Sequence, residues 1–133
     1  LVEFVRAASS SEEEFQQSLA SMHAALDKAA EKVRQKTPAQ KDLIGQVDAL
    51  IDTLYFTYGS FALMGVDPER IFDIVHEANM GKVFPDGKAH FDPITHKILK
   101  PDDWEEKYAP EPAIRKELQR QLKAYERHKE RNK

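Results

Sequence analysis

The sequence predicts an all-α fold, a bundle of four to five helices with a long loop before the last one. Three observations carry this. Glycine and proline divide the chain into four stretches with helical apolar spacing, strand signals are weak throughout, and most connections between the stretches are short. At 133 residues, 41% of them hydrophobic, the chain has the size of a single domain, 1–133, with a modest core.

The elements follow in order. Ser9 to Ser11 precede Glu12, Glu13 and Glu14, which reads as an N-cap with acidic residues in the first turn, where the helix dipole favours them. This helix is expected to run to about Gln35. Thr37 and Pro38 break the chain, with Thr37 read as a cap and Pro38 as the first helical residue. The next helix, about 39–64, carries Leu43, Val47, Leu50, Leu54 and Phe61 on related faces, and its mostly apolar pattern marks it as the central helix. Gly65 suits the left-handed residue that closes it, and Asp67 with Pro68 opens the following helix. Ile71, Ile74, Val75 and Ala78 form the buried stripe of that helix, and Gly81 stops it. Residues 82–101 hold three prolines, one glycine and several charges, a loop length that is uncommon without a function. Ile114, Leu118, Leu122 and Tyr125 then give a C-terminal helix, 112–131, an apolar stripe for the body of the protein or another subunit.

Composition narrows the function. Cysteine is absent, which excludes disulfides and thiolate chemistry. No apolar run is long enough for a membrane span and no signal peptide is visible, so the expectation is a soluble protein of the reducing cytoplasm, away from membranes. The net charge of -3 is uneven: from Ala113 onward the chain carries about +5. That basic tail holds one aromatic, Tyr125, and no nucleic-acid module, so a solvated helix is expected there rather than a nucleic-acid surface.

Candidate chemistry begins in VDALIDTLYFTYG. Asp48 and Asp52, four residues apart, project from one face of the most apolar helix. Burying two like charges requires a compensating cation, and oxygen ligands suit Mg2+ or Mn2+. The alternative places both aspartates on a solvent face. His23 and Asp27 repeat the spacing on the preceding helix, so that two antiparallel helices could bring four ligands together. Glu12, Glu13 and Glu14 compete as carboxylates but suit a charged first turn better. The helix end HEANMGKVFPDG places Asn79 and Lys82 beside Gly81; alone it is an ordinary helix ending, and His76 has only a packing role.

Residues 47–104 resemble the all-α nucleoside triphosphate pyrophosphohydrolases, most of all the MazG-like and phosphoribosyl-ATP-pyrophosphohydrolase-like members. The likeness lies in VDALIDTLYFTYGSFALMGVDPERIFDIVHEANMGKV, a DGK turn and ITHKILKPDDW. The opening LVEFVRAA is similar to this group's start. The resemblance implies a MazG-like bundle in which carboxylates from two helices hold Mg2+ and water attacks between the α and β phosphates, yielding a nucleoside monophosphate and pyrophosphate. It implies Asp48 and Asp52 as catalytic metal ligands, with Asp27 and His23 as further ligands. Asn79, Lys82, Lys97 and Lys100 are implied at the phosphates and Tyr55 at the base, in a homodimer or larger assembly. Two departures stand out. The family's Glu-Glu-x-x-Glu motif is replaced by SLASMHAALDKA, so that either His23 and Asp27 or Ser21, Met22 and Ala25 occupy its positions. His96 stands where glycine is usual before lysine, which implies a different loop geometry. Three readings remain open: a pyrophosphohydrolase, a degenerate nucleotide-binding relative, and a helical interaction module.

Overall fold

The four long helices of the sequence reading are present in the computed structural model, which describes residues 1–36 and 38–132. The order is α1 (Val2–Ala8), α2 (Glu12–Lys36), α3 (Leu43–Met64), α4 (Glu69–Met80), α5 (Trp104–Tyr108) and α6 (Glu111–Arg131). Six helices thus stand where four to five were expected, because α1 and α5, at seven and five residues, are too short to show an apolar period. The chain divides into two compact units, Leu1–Gln46 and Val47–Lys133. Among the described residues no single helix is long and apolar enough to cross a membrane.

In the first unit, the entry to α2 is held as its serines and glutamates predict. Ser11 Oγ accepts the Glu14 N–H at 3.1 Å, and the Glu14 carboxylate accepts the Ser10 N–H at 2.7 Å. This is a capping box displaced by one residue. It holds the Glu14 carboxyl below its ordinary range, chiefly through the Ser10 hydroxyl. Arg6 ties α1 to this corner, pairing with Glu12 at 2.6 Å and lying 5.0 Å over the Phe15 ring.

The start of α3 corrects the sequence reading. Pro38 is not its first residue; the helix begins at Leu43, where the Asp42 carboxylate accepts the Ile44 N–H at 3.0 Å. An aspartate that can accept from the first turn is a better helix start than proline, which merely tolerates that place. The proposed Thr37 cap lies outside the described residues.

In the second unit, α3 ends as predicted. Gly65 takes φ 68°, with Gly65 N–H to Ala62 O at 3.1 Å and Val66 N–H to Phe61 O at 3.0 Å. Those two bonds are the Schellman closure that favours glycine. The chain then turns so that α3 and α4 are bent by 119°. Asp67 Oδ1 accepts the Glu69 N–H at 3.1 Å, opening α4 at the Asp-Pro pair. Gly81, by contrast, has an ordinary helical φ of -64°. Its requirement is space, since a Cβ there would meet Tyr108 Cγ at 2.5 Å.

α6 meets α4 and the corner before it through polar groups, while Leu118, Leu122 and Tyr125 of its stripe are exposed. The Gln121 amide accepts the Asp67 N–H and donates to the Asp67 carbonyl, both at 2.9 Å, which fixes the α3–α4 corner against α6. Glu117, 7% exposed, accepts from Arg120 at 2.7 and 2.8 Å and from Gln121 at 3.0 Å, with Arg70 at 4.0 Å. The Arg120 hydrogen bonds, then that of Gln121, hold its carboxyl down at about 2. A carboxyl depressed in the fold contributes stability above its unfolded value of 4.5, and loses it as pH falls toward about 2. Glu117→Gln is therefore expected to lower the urea midpoint at pH 7 and to converge with the parent near pH 2. An equal gap at both pH values would contradict this role.

Candidate polyphosphate and metal site

On α3, Asp48 and Asp52 are both exposed, one turn apart on one face, and neither accepts a hydrogen bond among the described residues. Their apolar neighbours are exposed too: Leu50 is 66% and Leu54 53% exposed. Exposure on this helix thus belongs to the whole surface rather than to a polar face. Thr53, Thr57 and Ser60 satisfy their hydroxyls on the carbonyls of Ala49, Thr53 and Phe56, four residues back, so these hydroxyls need no outside partner. Tyr55 follows Asp52 by three residues and is exposed, its ring edge-on to Phe56.

The end of α4 gathers further groups. Lys82 Nζ donates to Asn79 Oδ1 at 2.7 Å. Lys100 Nζ, from the far end of the loop, lies 3.8 Å over the Trp104 ring, and Lys82 Nζ lies 5.8 Å from the same ring. Trp104 is 5% exposed, and its Nε1–H donates to the Ala78 carbonyl at 2.8 Å. Two of the four residues expected at phosphate, Lys82 and Lys100, therefore meet at one aromatic ring, and a third, Asn79, is bonded to Lys82. Lys97 does not join them; its backbone closes a turn, with its carbonyl accepting the Asp92 N–H at 2.8 Å. His76 stacks on Phe72 one turn earlier in α4, the packing role expected of it.

Between these lysines, residues 82–101 form two small antiparallel pairings, Val83 with Ala89 and Phe91 with Ile98. The first turns through Gly87, at φ 75°, and is closed by the Asp86–His90 pair at 2.8 Å, with His90 against Phe84. In the second, Asp92 Oδ1 accepts from the Ile94 and Thr95 N–H groups and from the Thr95 hydroxyl, bonds that keep the Asp92 carboxyl below its usual range, Thr95 foremost. His96 takes φ 55°. That is the left-handed backbone which glycine accommodates most easily.

His23 and Asp27 lie on α2 in the first unit, exposed and one turn apart. Among the described residues no group of three or more His, Asp or Glu side chains gathers as metal ligands. Each unit therefore offers a pair: His23 with Asp27 in the first, Asp48 with Asp52 in the second.

Sequence reasoning missed Trp104 as the centre of the lysine cluster. The available signal was the chain's single tryptophan, four residues after Lys100. It also missed Glu105, whose carboxylate lies 3.5 Å from Lys100 Nζ.

Comparison with known proteins places this geometry. The family model for phosphoribosyl-ATP pyrophosphohydrolase matches residues 1–79, which take in His23, Asp27, Asp48 and Asp52 and end at Asn79. A crystal structure of a proposed NTP pyrophosphohydrolase from Exiguobacterium sp. 255-15 superposes with a TM-score of 0.81 at 40% identity, over 94% of this chain and 74% of that one. No curated protein matches the chain. The matched family model spans more than half of the sequence, and the related structure has the same all-α architecture; the chain belongs to the phosphoribosyl-ATP pyrophosphohydrolase family.

Proposed function

We propose that the protein hydrolyses the bond between the α and β phosphates of a nucleoside triphosphate, or of a nucleotide-like relative such as phosphoribosyl-ATP, with Mg2+, releasing a monophosphate and pyrophosphate. The observation that supports this best is the meeting of Asn79, Lys82 and Lys100 at the end of α4, in a chain of this family whose α3 presents Asp48 and Asp52.

The donor set fits a hard divalent cation. Mg2+ keeps several waters and takes one or two carboxylates together with substrate phosphates, which is what an exposed aspartate pair provides; Mn2+ suits the same oxygens. Asp48 and Asp52 would hold it, with waters and phosphate oxygens completing its shell. Bound there, the ion supplies neutralising charge at the phosphate oxygens and a more acidic water. The chain's own part is positioning and electrostatics. Lys82 and Lys100 offset the charge that builds on phosphoryl oxygens. Asn79 spends its carbonyl on Lys82 and keeps its amide N–H donors for phosphate. Tyr55 offers a ring to the base.

A homodimer or larger assembly belongs to the same proposal. It is supported by the apolar surface of α3, where Ile51, Phe56 and Leu63 are 57%, 73% and 92% exposed, a stretch suited to the apolar face of a second copy.

A second reading, a relative that binds nucleotide without turnover, is favoured by SLASMHAALDKA, which offers one carboxylate where the family has three. Assaying a panel of nucleoside triphosphates and phosphoribosyl-ATP for pyrophosphate release with Mg2+ or Mn2+ separates the two. Release from one member is the expected result. A raised melting temperature with nucleotide but no release supports the second reading, and neither effect contradicts both.

A further inference from the structure

The proposed function names residues that meet phosphate; it does not explain what keeps two ammonium groups together at the end of α4. Lys82 and Lys100 are 18 positions apart in sequence and repel one another. Lys100 is partly compensated by Glu105 at 3.5 Å, and Lys82 by the Asn79 carbonyl at 2.7 Å. The element common to both is the Trp104 ring, with Nζ of Lys100 at 3.8 Å and of Lys82 at 5.8 Å from its centre. An indole face attracts cations without accepting a conventional hydrogen bond, so N–H donors stay unspent. The ring cannot drift, because Trp104 is 5% exposed and its Nε1–H is bonded to the Ala78 carbonyl at 2.8 Å. The Trp104 backbone N–H donates to the Pro101 carbonyl at 2.9 Å, closing the turn that follows Lys100. Tyr108, packed on Gly81, adds a second contact between α5 and the end of α4.

We propose that Trp104 is a positioning residue for the phosphoanhydride chain of the ligand: its fixed ring holds Lys82 and Lys100 as a preorganised pair of cations for a polyphosphate. This rests on the pyrophosphohydrolase reading for the class of substrate, but not for the binding itself. The ligand chemistry is a chain of two or three linked phosphates, whether the tail of a nucleotide or released pyrophosphate. Such a chain brings several negative charges to a pair of ammonium groups and draws them from the ring toward its oxygens.

Trp104 is the chain's single tryptophan, so its emission reports on this event directly. Titration of the full chain with tripolyphosphate, and separately with pyrophosphate, is expected to give a saturable change in emission whose midpoint agrees with calorimetry. Lys100→Met, which keeps the stem and removes the charge, is expected to weaken tripolyphosphate binding about tenfold. Trp104→Leu is expected to raise Kd for tripolyphosphate and KM for the nucleotide by a similar factor with kcat nearly unchanged. A merely structural tryptophan would instead lower the melting temperature and kcat together and leave KM alone. Should that variant fail to fold, the emission of the parent chain and Lys100→Met still decide. Binding with no emission change and no weakening in Lys100→Met overturns the inference. Binding that moves the emission without any turnover supports it and overturns the catalytic reading instead. No polyphosphate binding at all overturns both.

Discussion

Asp52→Asn is expected to reduce kcat for pyrophosphate release on the order of 100-fold or more, the scale seen when one preorganised electrostatic group is removed from a phosphoryl or acyl transfer site. Its melting temperature should stay level or rise slightly. The reason is local: Asp48 and Asp52 are like charges at a spacing of four on α3, and neither accepts a hydrogen bond among the described residues. Such a pair destabilises its helix by roughly 0.2–0.5 kcal/mol, so neutralising one partner relieves repulsion. Loss of activity without loss of stability separates a metal ligand from a structural residue. If Asp52→Asn keeps its turnover, the aspartate pair is only the polar edge of an apolar helix.

Leu122→Glu should convert the assembly to single chains. Leu122 lies in the α6 stripe and is 58% exposed within one chain, so a surface substitution there would ordinarily change stability by about 0.5 kcal/mol or less. In an interface between copies the same carboxylate is stranded in apolar surroundings and costs several kcal/mol. Sedimentation at micromolar concentration is expected to show a dimer or larger species for the parent, and the 15.3 kDa chain for the variant. A parent that already sediments as 15.3 kDa removes the assembly from the account.

What was legible in the sequence was local. Gly65 could be read because a helix that closes with a left-handed residue favours glycine, and Ser11 with Glu14 because capping acts within one turn. The start of α3 was misread because Pro38 and Asp42 both carry start signals, and only the Asp42 bond to Ile44 decides between them. α5 escaped notice since five residues show no period, and with it went Trp104, whose partner Ala78 is 26 positions away. Glu117, Arg120 and Gln121 stood at helical spacing, but the charges of α6 were read as a solvated face and its stripe as packing, so their mutual bonds went unread. The site divides the same way. The one-turn spacing of Asp48 and Asp52 and the nearness of Asn79 to Lys82 follow from local geometry, while the meeting of Lys82 and Lys100 depends on how a 20-residue loop returns, which no local pattern encodes.

The central claim is cleavage between the α and β phosphates, and phosphorus NMR of the products formed with Mg2+ tests it most directly, run on the substrate that responds in the nucleotide panel. The account predicts monophosphate and pyrophosphate in equal amounts, with no reaction once EDTA removes the metal. Orthophosphate with a diphosphate, or an untouched panel in the presence of folded protein and metal, would contradict it.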